Sequence, residues 1–217
     1  MATLDLQVGA GGDDGRRYTG TGGFSSSDLE IYLGYYNDSI WRNEHGFARW
    51  LGATIEGTVD VSYIQLYGVS VSGAPQLKVY GIDEDNPPAP VSAAQFDADP
   101  LTTAAVDWDG PWVAGAWNQS PSLNPVFQEL ADSYVIFSDA VMVQVKNDGG
   151  ATAREIYVRM WEYGGNFGPK LHIEYTSGGG TTIVIPSTIA FTTTKYIPPL
   201  KFGIIPTTKS LATSLFT

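Results

Sequence analysis

A chain of 217 residues, 43% of them hydrophobic, is long enough to bury one good core, and its net charge of −11 excludes a body that grips nucleic-acid phosphates. The absence of cysteine excludes disulfides and thiolate metal centres. No apolar run approaches the ~18 residues of a membrane-spanning helix, and Met1-Ala-Thr-Leu-Asp-Leu-Gln-Val8 lacks the basic start and apolar stretch of a signal peptide.

In chain order, Leu4, Leu6 and Val8 alternate with polar residues, the period-2 pattern of a half-buried strand. Gly9 to Ser27, rich in glycine and carrying Asp13, Asp14, Arg16 and Arg17, reads as a long loop. Leu29 to Leu33 alternates again, Tyr35 to Asp38 reads as a turn, and Gly46 to Leu51 as a further strand. Ser62 to Ser72 is a strand with Tyr63, Gln65 and Tyr67 on one side and Ile64 and Leu66 on the other; Gln76 to Ile82 reads as its hairpin partner. Asp83 to Ala105 is an irregular Pro/Ala/Asp-rich excursion, after which Ala104 to Trp108 resumes sheet pattern.

Ser120 to Asp132 is the one predicted helix, with Ser122 and Asn124 as cap candidates, Pro125 in the first turn, and Val126, Phe127 and Leu130 at helical spacing. Ala140 to Val145, Glu155 to Trp161 and Lys170 to Tyr175 complete the strands. The expected architecture is all-β: an antiparallel β-sandwich (jelly roll) with one short helix over residues 1–176, then a Gly-rich hinge at 177–180.

Residues 181–217 read as an extended, β-prone C-terminal arm. Ile185 to Thr194 returns as Ile205 to Ser214, a repeat offset by 20 residues. Met1 to Ser177 holds all 23 carboxylates and nine of the 12 Lys and Arg, a charge of −14, whereas Gly178 to Thr217 has three lysines and no carboxylate. Such an arm cannot bury its own apolar residues, so it calls for a partner surface that takes Ile189, Phe191, Leu211 and Leu215, with Lys195, Lys201 and Lys209 meeting acidic side chains.

Arg49-Trp50-Leu51, then Ile55 to Tyr67, the helix, the strand at 140–145 and the closing Gly168-Pro-Lys-Leu-His-Ile-Glu-Tyr-Thr176 resemble the corresponding segments of DNRLRE-type jelly-roll domains. The chain is also similar to proteins of this length encoded in phage and metagenomic contigs that share Gly81-Ile-Asp-Glu-Asp-Asn86. The resemblance implies a jelly roll found in cell-surface, carbohydrate-binding and virion contexts, among which the fold does not choose.

Two clusters are candidate sites. Asp83, Asp85 and Asn86 offer the oxygen ligands that Ca²⁺ prefers, though without EF-hand spacing; the plainer reading is a solvated turn. Trp108, Trp112 and Trp117 could stack on sugar rings, or fill the core. His45 and His172 are far apart and form no zinc motif, and no nucleophile or phosphate-loop motif is present. The expectation is therefore a non-enzymatic structural virion protein without cofactors, a phage decoration, fibre or tail-associated protein made in the host cytoplasm. It would assemble through its arm with copies of itself and with other virion proteins, and bind neither nucleic acid nor membrane. Two alternatives stay open: a carbohydrate-binding module on a virion or cell surface, and an extracellular filament subunit.

Overall fold

Ser62 to Ser72 has the alternation of a strand with one wet and one dry face, and in the computed structural model it forms the later part of a longer strand on which the sheet turns. Residues 1–37, 41–149 and 154–177 are described, all within Met1–Thr181, the first of the two units into which the chain divides. The hinge residues 178–180 and the arm, with all seven of its named residues, lie outside the described residues.

Among the described residues twelve strands form one antiparallel sheet: β1 (Ala2–Gln7), β2 (Asp14–Tyr18), β3 (Gly23–Ser25), β4 (Glu30–Asn37), β5 (Trp41–Ile55), β6 (Thr58–Ser72), β7 (Leu77–Ile82), β8 (Leu101–Trp108), β9 (Trp117–Gln119), β10 (Ile136–Asn147), β11 (Arg154–Arg159) and β12 (Lys170–Thr176). The order is β1-β12-β6-β11-β4-β5-β10-β7-β8, with β9 on β6, β2 on β5 and β3 on β2. Two helices, α1 (Ala93–Ala98) and α2 (Asn124–Ser133), and a 3₁₀ turn at Trp161–Tyr163 accompany it.

The sheet curls because β5 and β6, each 15 residues long, serve different neighbours at their two ends. The first half of β6 pairs with β12 and its last residues with β11. Across the curl, the Trp50 indole Nε1–H of β5 donates to the Pro169 carbonyl just before β12, at 3.0 Å. Ile31, Leu33, Trp50, Ile64, Val143, Ile156, Val158 and Ile173 fill the enclosed side.

α2 bridges the open end. Val126, Phe127 and Leu130 are buried, at the spacing that puts them on one face. Gln128 Oε1 accepts from the Val59 amide of β6 at 2.8 Å, and Glu129 accepts from the Thr103 and Ala104 amides of β8 at 2.8 and 2.7 Å. The cap is Leu123, whose apolar side chain makes no capping bond, and Asn124 donates its side-chain amide to the Asp60 carbonyl.

The antiparallel all-β expectation holds, and four readings are corrected. The segment 9–27 is not a loop: β2 pairs with β5, and Asp13 and Asp14 are buried there. The turn placed at Tyr35 lies within β4, which runs on to Asn37. β7 pairs with β10 and β8 rather than with β6. The excursion after Asp83 contains α1, so the α-helices among the described residues number two; Phe96 of α1 packs with Phe47, Ile82 and Met142 in a second apolar cluster. Strand β10 is thereby buried on both faces, a pattern that one-sided alternation does not predict.

Candidate functional site

The outward face of β1, β12, β6 and β9 gathers an unusual set of side chains. Register places them in three rows. Asp5, His172 and Tyr63 lie across β1, β12 and β6; Gln7, Lys170, Gln65 and Gln119 follow across all four strands; Tyr67 and Trp117 lie across β6 and β9. Alternation makes this possible: Ile64, Leu66, Leu171 and Ile173 point into the core, so their neighbours must point out.

The rings are held in place. Tyr63 and His172 stack with centroids 4.6 Å apart, and Tyr67 meets Trp117 edge-on at 5.5 Å. His172 Nδ1 is 2.7 Å from Asp5 Oδ1, and Nε2 is 3.5 Å from Glu174 Oε1, so both ring nitrogens face carboxylates. The Lys170 ammonium lies 4.0 Å over the Trp117 ring, a cation–π contact. Beyond Tyr67, the Arg159 guanidinium sits among the rings of Tyr67, Tyr163 and Phe167 at 5.0, 3.7 and 4.5 Å. Among the described residues no protein group engages the side-chain amides of Gln65 and Gln119. Between the first two rows lies a groove of about 410 Å³ lined by Asp5, Gln7, Tyr63, Gln65, Lys170 and His172.

Trp117 owes its position to Asn118. That side chain accepts from the Val113 amide at 2.7 Å and donates to the Val113 and Ala116 carbonyls, clamping the loop before β9. The Tyr67 hydroxyl donates to the Gly115 carbonyl of the same loop at 3.1 Å. Asn118 is 4% exposed and its amide is committed to this clamp.

No protein-family model matches the chain, and no curated protein matches it.

Of the three tryptophans expected to meet sugars, only Trp117 is on this face. Trp108 is 0% exposed and belongs to the core, with its ring 4.4 Å from that of Trp112. Trp112 is half-buried and donates to the Pro75 carbonyl. Trp108 is thus corrected from ligand to core: on β8 it faces inward, as one of the buried residues of the main apolar cluster.

The acidic loop is spent on structure. Asn86, at φ +50°, accepts from the Ala140 amide at 2.9 Å; Asp83 uses its backbone to accept from the Tyr134 hydroxyl and to reach Pro100; Asp85 is exposed. Among the described residues no three Asp, Glu or His side chains converge on a point that suits a metal ion.

The most perturbed carboxyl lies elsewhere. Asp14 is 0% exposed; Oδ2 accepts from the Trp161 amide at 2.9 Å, and Oδ1 lies buried beside Glu162. Burial pushes this carboxyl up to about 8 against the lowering effect of the Trp161 amide, and the neighbouring Glu162 and Asp13 add to the rise. Burial also pushes His45 down, to about 4, with Lys146 and Arg17 nearby; its Nδ1 accepts from the Asn147 amide.

Sequence reasoning placed Tyr63, Gln65 and Tyr67 on one side of a strand and turned His172 away from Leu171 and Ile173. What it missed is the pairing that sets β12, β6 and β9 side by side, because strand neighbours distant in sequence leave no local signal.

Proposed function

We propose that the protein is a non-enzymatic carbohydrate-binding module, and that the glycan lies on the outward face of β1, β12, β6 and β9. One observation carries the reading: half-buried rings flank Gln65 and Gln119, whose side-chain amides no group among the described residues engages. Aromatic rings that keep part of their surface in water on one sheet face suit an interaction site. A pyranose ring suits it, since its C–H face packs on the negative π face of Tyr or Trp while its rim hydroxyls need amide partners. A sugar arriving on Trp117 takes the ring face that Lys170 covers, and the ammonium turns to a hydroxyl. The carboxylates nearest the groove, Asp5 and Glu174, orient His172, which is a binding role. The −14 body favours a neutral polymer over an acidic one.

The curled sheet itself is read as a jelly roll of the DNRLRE type. What supports this is the bond from Trp50 to Pro169 that draws opposite parts of the sheet together, and the closing strand Lys170–Thr176 that carries the resemblance.

The test is affinity electrophoresis or a glycan array. Saturable binding of at least one neutral polysaccharide is expected, with a loss of about tenfold or more in Trp117→Ala and Tyr63→Ala at unchanged melting temperature. An absence of saturable binding across the array would sink the reading.

A second reading, a structural virion protein made in a host cytoplasm, rests on the tail sequence: a carboxylate-free, twice-repeated, β-prone arm beside a −14 body. The two readings are compatible, since a virion protein can carry a glycan-binding face. A chain ending at Thr176 is expected to fold and bind glycan, yet to fail to join an assembly that the full chain enters. Normal incorporation of the shortened chain would remove the arm from the account.

A further inference from the structure

The geometry points to an extended polysaccharide chain, bound through its interior residues rather than at a terminus, as the ligand of this face; the inference rests on the glycan reading above. Tyr63 and Tyr67 are four residues apart on one face of β6, so about 13 Å separates them at a rise of ~3.3 Å per residue. Each is half of a ring pair formed across strands, Tyr63 with His172 and Tyr67 with Trp117. A single sugar ring, similar in breadth to a tyrosine ring, covers one platform and cannot reach the other.

Between the platforms runs the row Gln7, Lys170, Gln65 and Gln119, polar throughout. Gln7 already donates to the Gly168 carbonyl at 2.9 Å, which leaves Lys170, Gln65 and Gln119 to meet hydroxyls. The alternation of platform, polar row and platform matches a chain whose successive residues present a C–H face and then hydroxyl edges.

The ends of the face are open. Before Tyr63 the next outward residue of β6, Val61, is 39% exposed, and beyond Tyr67 the Tyr163 ring of the Arg159 cluster is 42% exposed. Recognition of a chain terminus needs a wall that stops the chain and polar groups that read its last hydroxyls. Among the described residues the side chains at both ends stand open to solvent, which leaves room for a longer chain to pass across.

The experiment is calorimetry of the full chain with gluco-, manno-, xylo- and chito-oligosaccharides of increasing length, from the monosaccharide to the hexasaccharide. For the series that binds, affinity is expected to rise about tenfold or more between the disaccharide and the tetrasaccharide and then level off, as the second platform is engaged. Borohydride reduction of the terminal residue of the hexasaccharide is expected to leave its affinity unchanged. In Tyr63→Ala the gain with length is expected to disappear, so that the tetrasaccharide binds no more tightly than the disaccharide.

Equal affinity from the monosaccharide upward, or loss of binding on reducing the terminus, overturns the extended-chain inference and leaves the glycan reading standing. Failure of every series and of the parent polysaccharides overturns both. The measurements on the unsubstituted chain decide the matter even if Tyr63→Ala does not fold.

Discussion

Replacing Phe127 by alanine is expected to lower the free energy of unfolding by about 3–5 kcal/mol, the range for emptying a fully buried aromatic site. Phe127 is 0% exposed and belongs to the main core on the face of α2 that also buries Val126 and Leu130. The helix cannot easily settle into the space left behind. Gln128 ties it to β6 and Glu129 ties it to β8, from two sides of the same helical turn. With collapse blocked, the cavity term stays near its maximum. Urea unfolding of the variant checks this; a loss below about 1 kcal/mol would make α2 peripheral and the described closure of the sheet end wrong.

Alkaline conditions are expected to weaken the fold, and Asp14→Asn to remove much of that weakness. In the unfolded chain the Asp14 carboxyl ionises near its ordinary value of 3.8, whereas in the fold it is pushed up to about 8. Between these values the native state holds a proton that the unfolded state has released. Stability therefore falls as pH rises through this window, by up to about 1.4 kcal/mol per pH unit, and levels off above it.

His45 acts in the opposite sense. Its native value near 4 lies below the ordinary 6.5, so stability falls as pH drops from 6.5 toward 4. The two slopes oppose one another at acid pH, and of this pair it is Asp14 that changes stability between 6.5 and 8. An asparagine keeps an oxygen for the Trp161 amide and turns an N–H toward Glu162, which supplies permanently what the proton supplies. Unfolding curves at pH 6.5 and 8 are expected to differ by about 2 kcal/mol in the parent and much less in Asp14→Asn. An equal slope in both would place the responsible group elsewhere.

The parts of this protein that were legible in its sequence are those with a local cause. Pro125 with Val126, Phe127 and Leu130 announces α2, and the alternation around Ile64 and Leu66 announces β6. α1 left a signal that the reading as an irregular excursion passed over, since Ser92-Ala-Ala-Gln95 has capping-box spacing: Ser92 Oγ accepts from the Gln95 amide at 3.2 Å, and Gln95 Oε1 accepts from the amide of Val91, one residue before the cap, at 3.0 Å. Prolines and aspartates around it hid the signal.

β2 was not legible. Its glycines and charges read as a loop, and only the ion pair from Arg49 to Asp13 at 2.8 Å and the Trp161 amide on Asp14 make burial of those carboxylates tolerable. The partners of β7 are likewise set by β10 and β8, whose side chains cover it from sequence distances that no local pattern encodes. For the candidate site the same division holds: the facing of Tyr63, Gln65, Tyr67 and His172 follows from alternation, while their assembly with Trp117 follows from strand order.

The most direct measurement is an amide and indole NMR titration of the full chain with a polysaccharide fragment that the array selects. The account predicts that the Trp117 indole Nε1–H and the backbone amides of Tyr63 to Tyr67 and Lys170 to Glu174 shift with saturation, while the indoles of the buried Trp50 and Trp108 stay where they are. Saturable binding whose shifts fall outside β1, β12, β6 and β9 would contradict it.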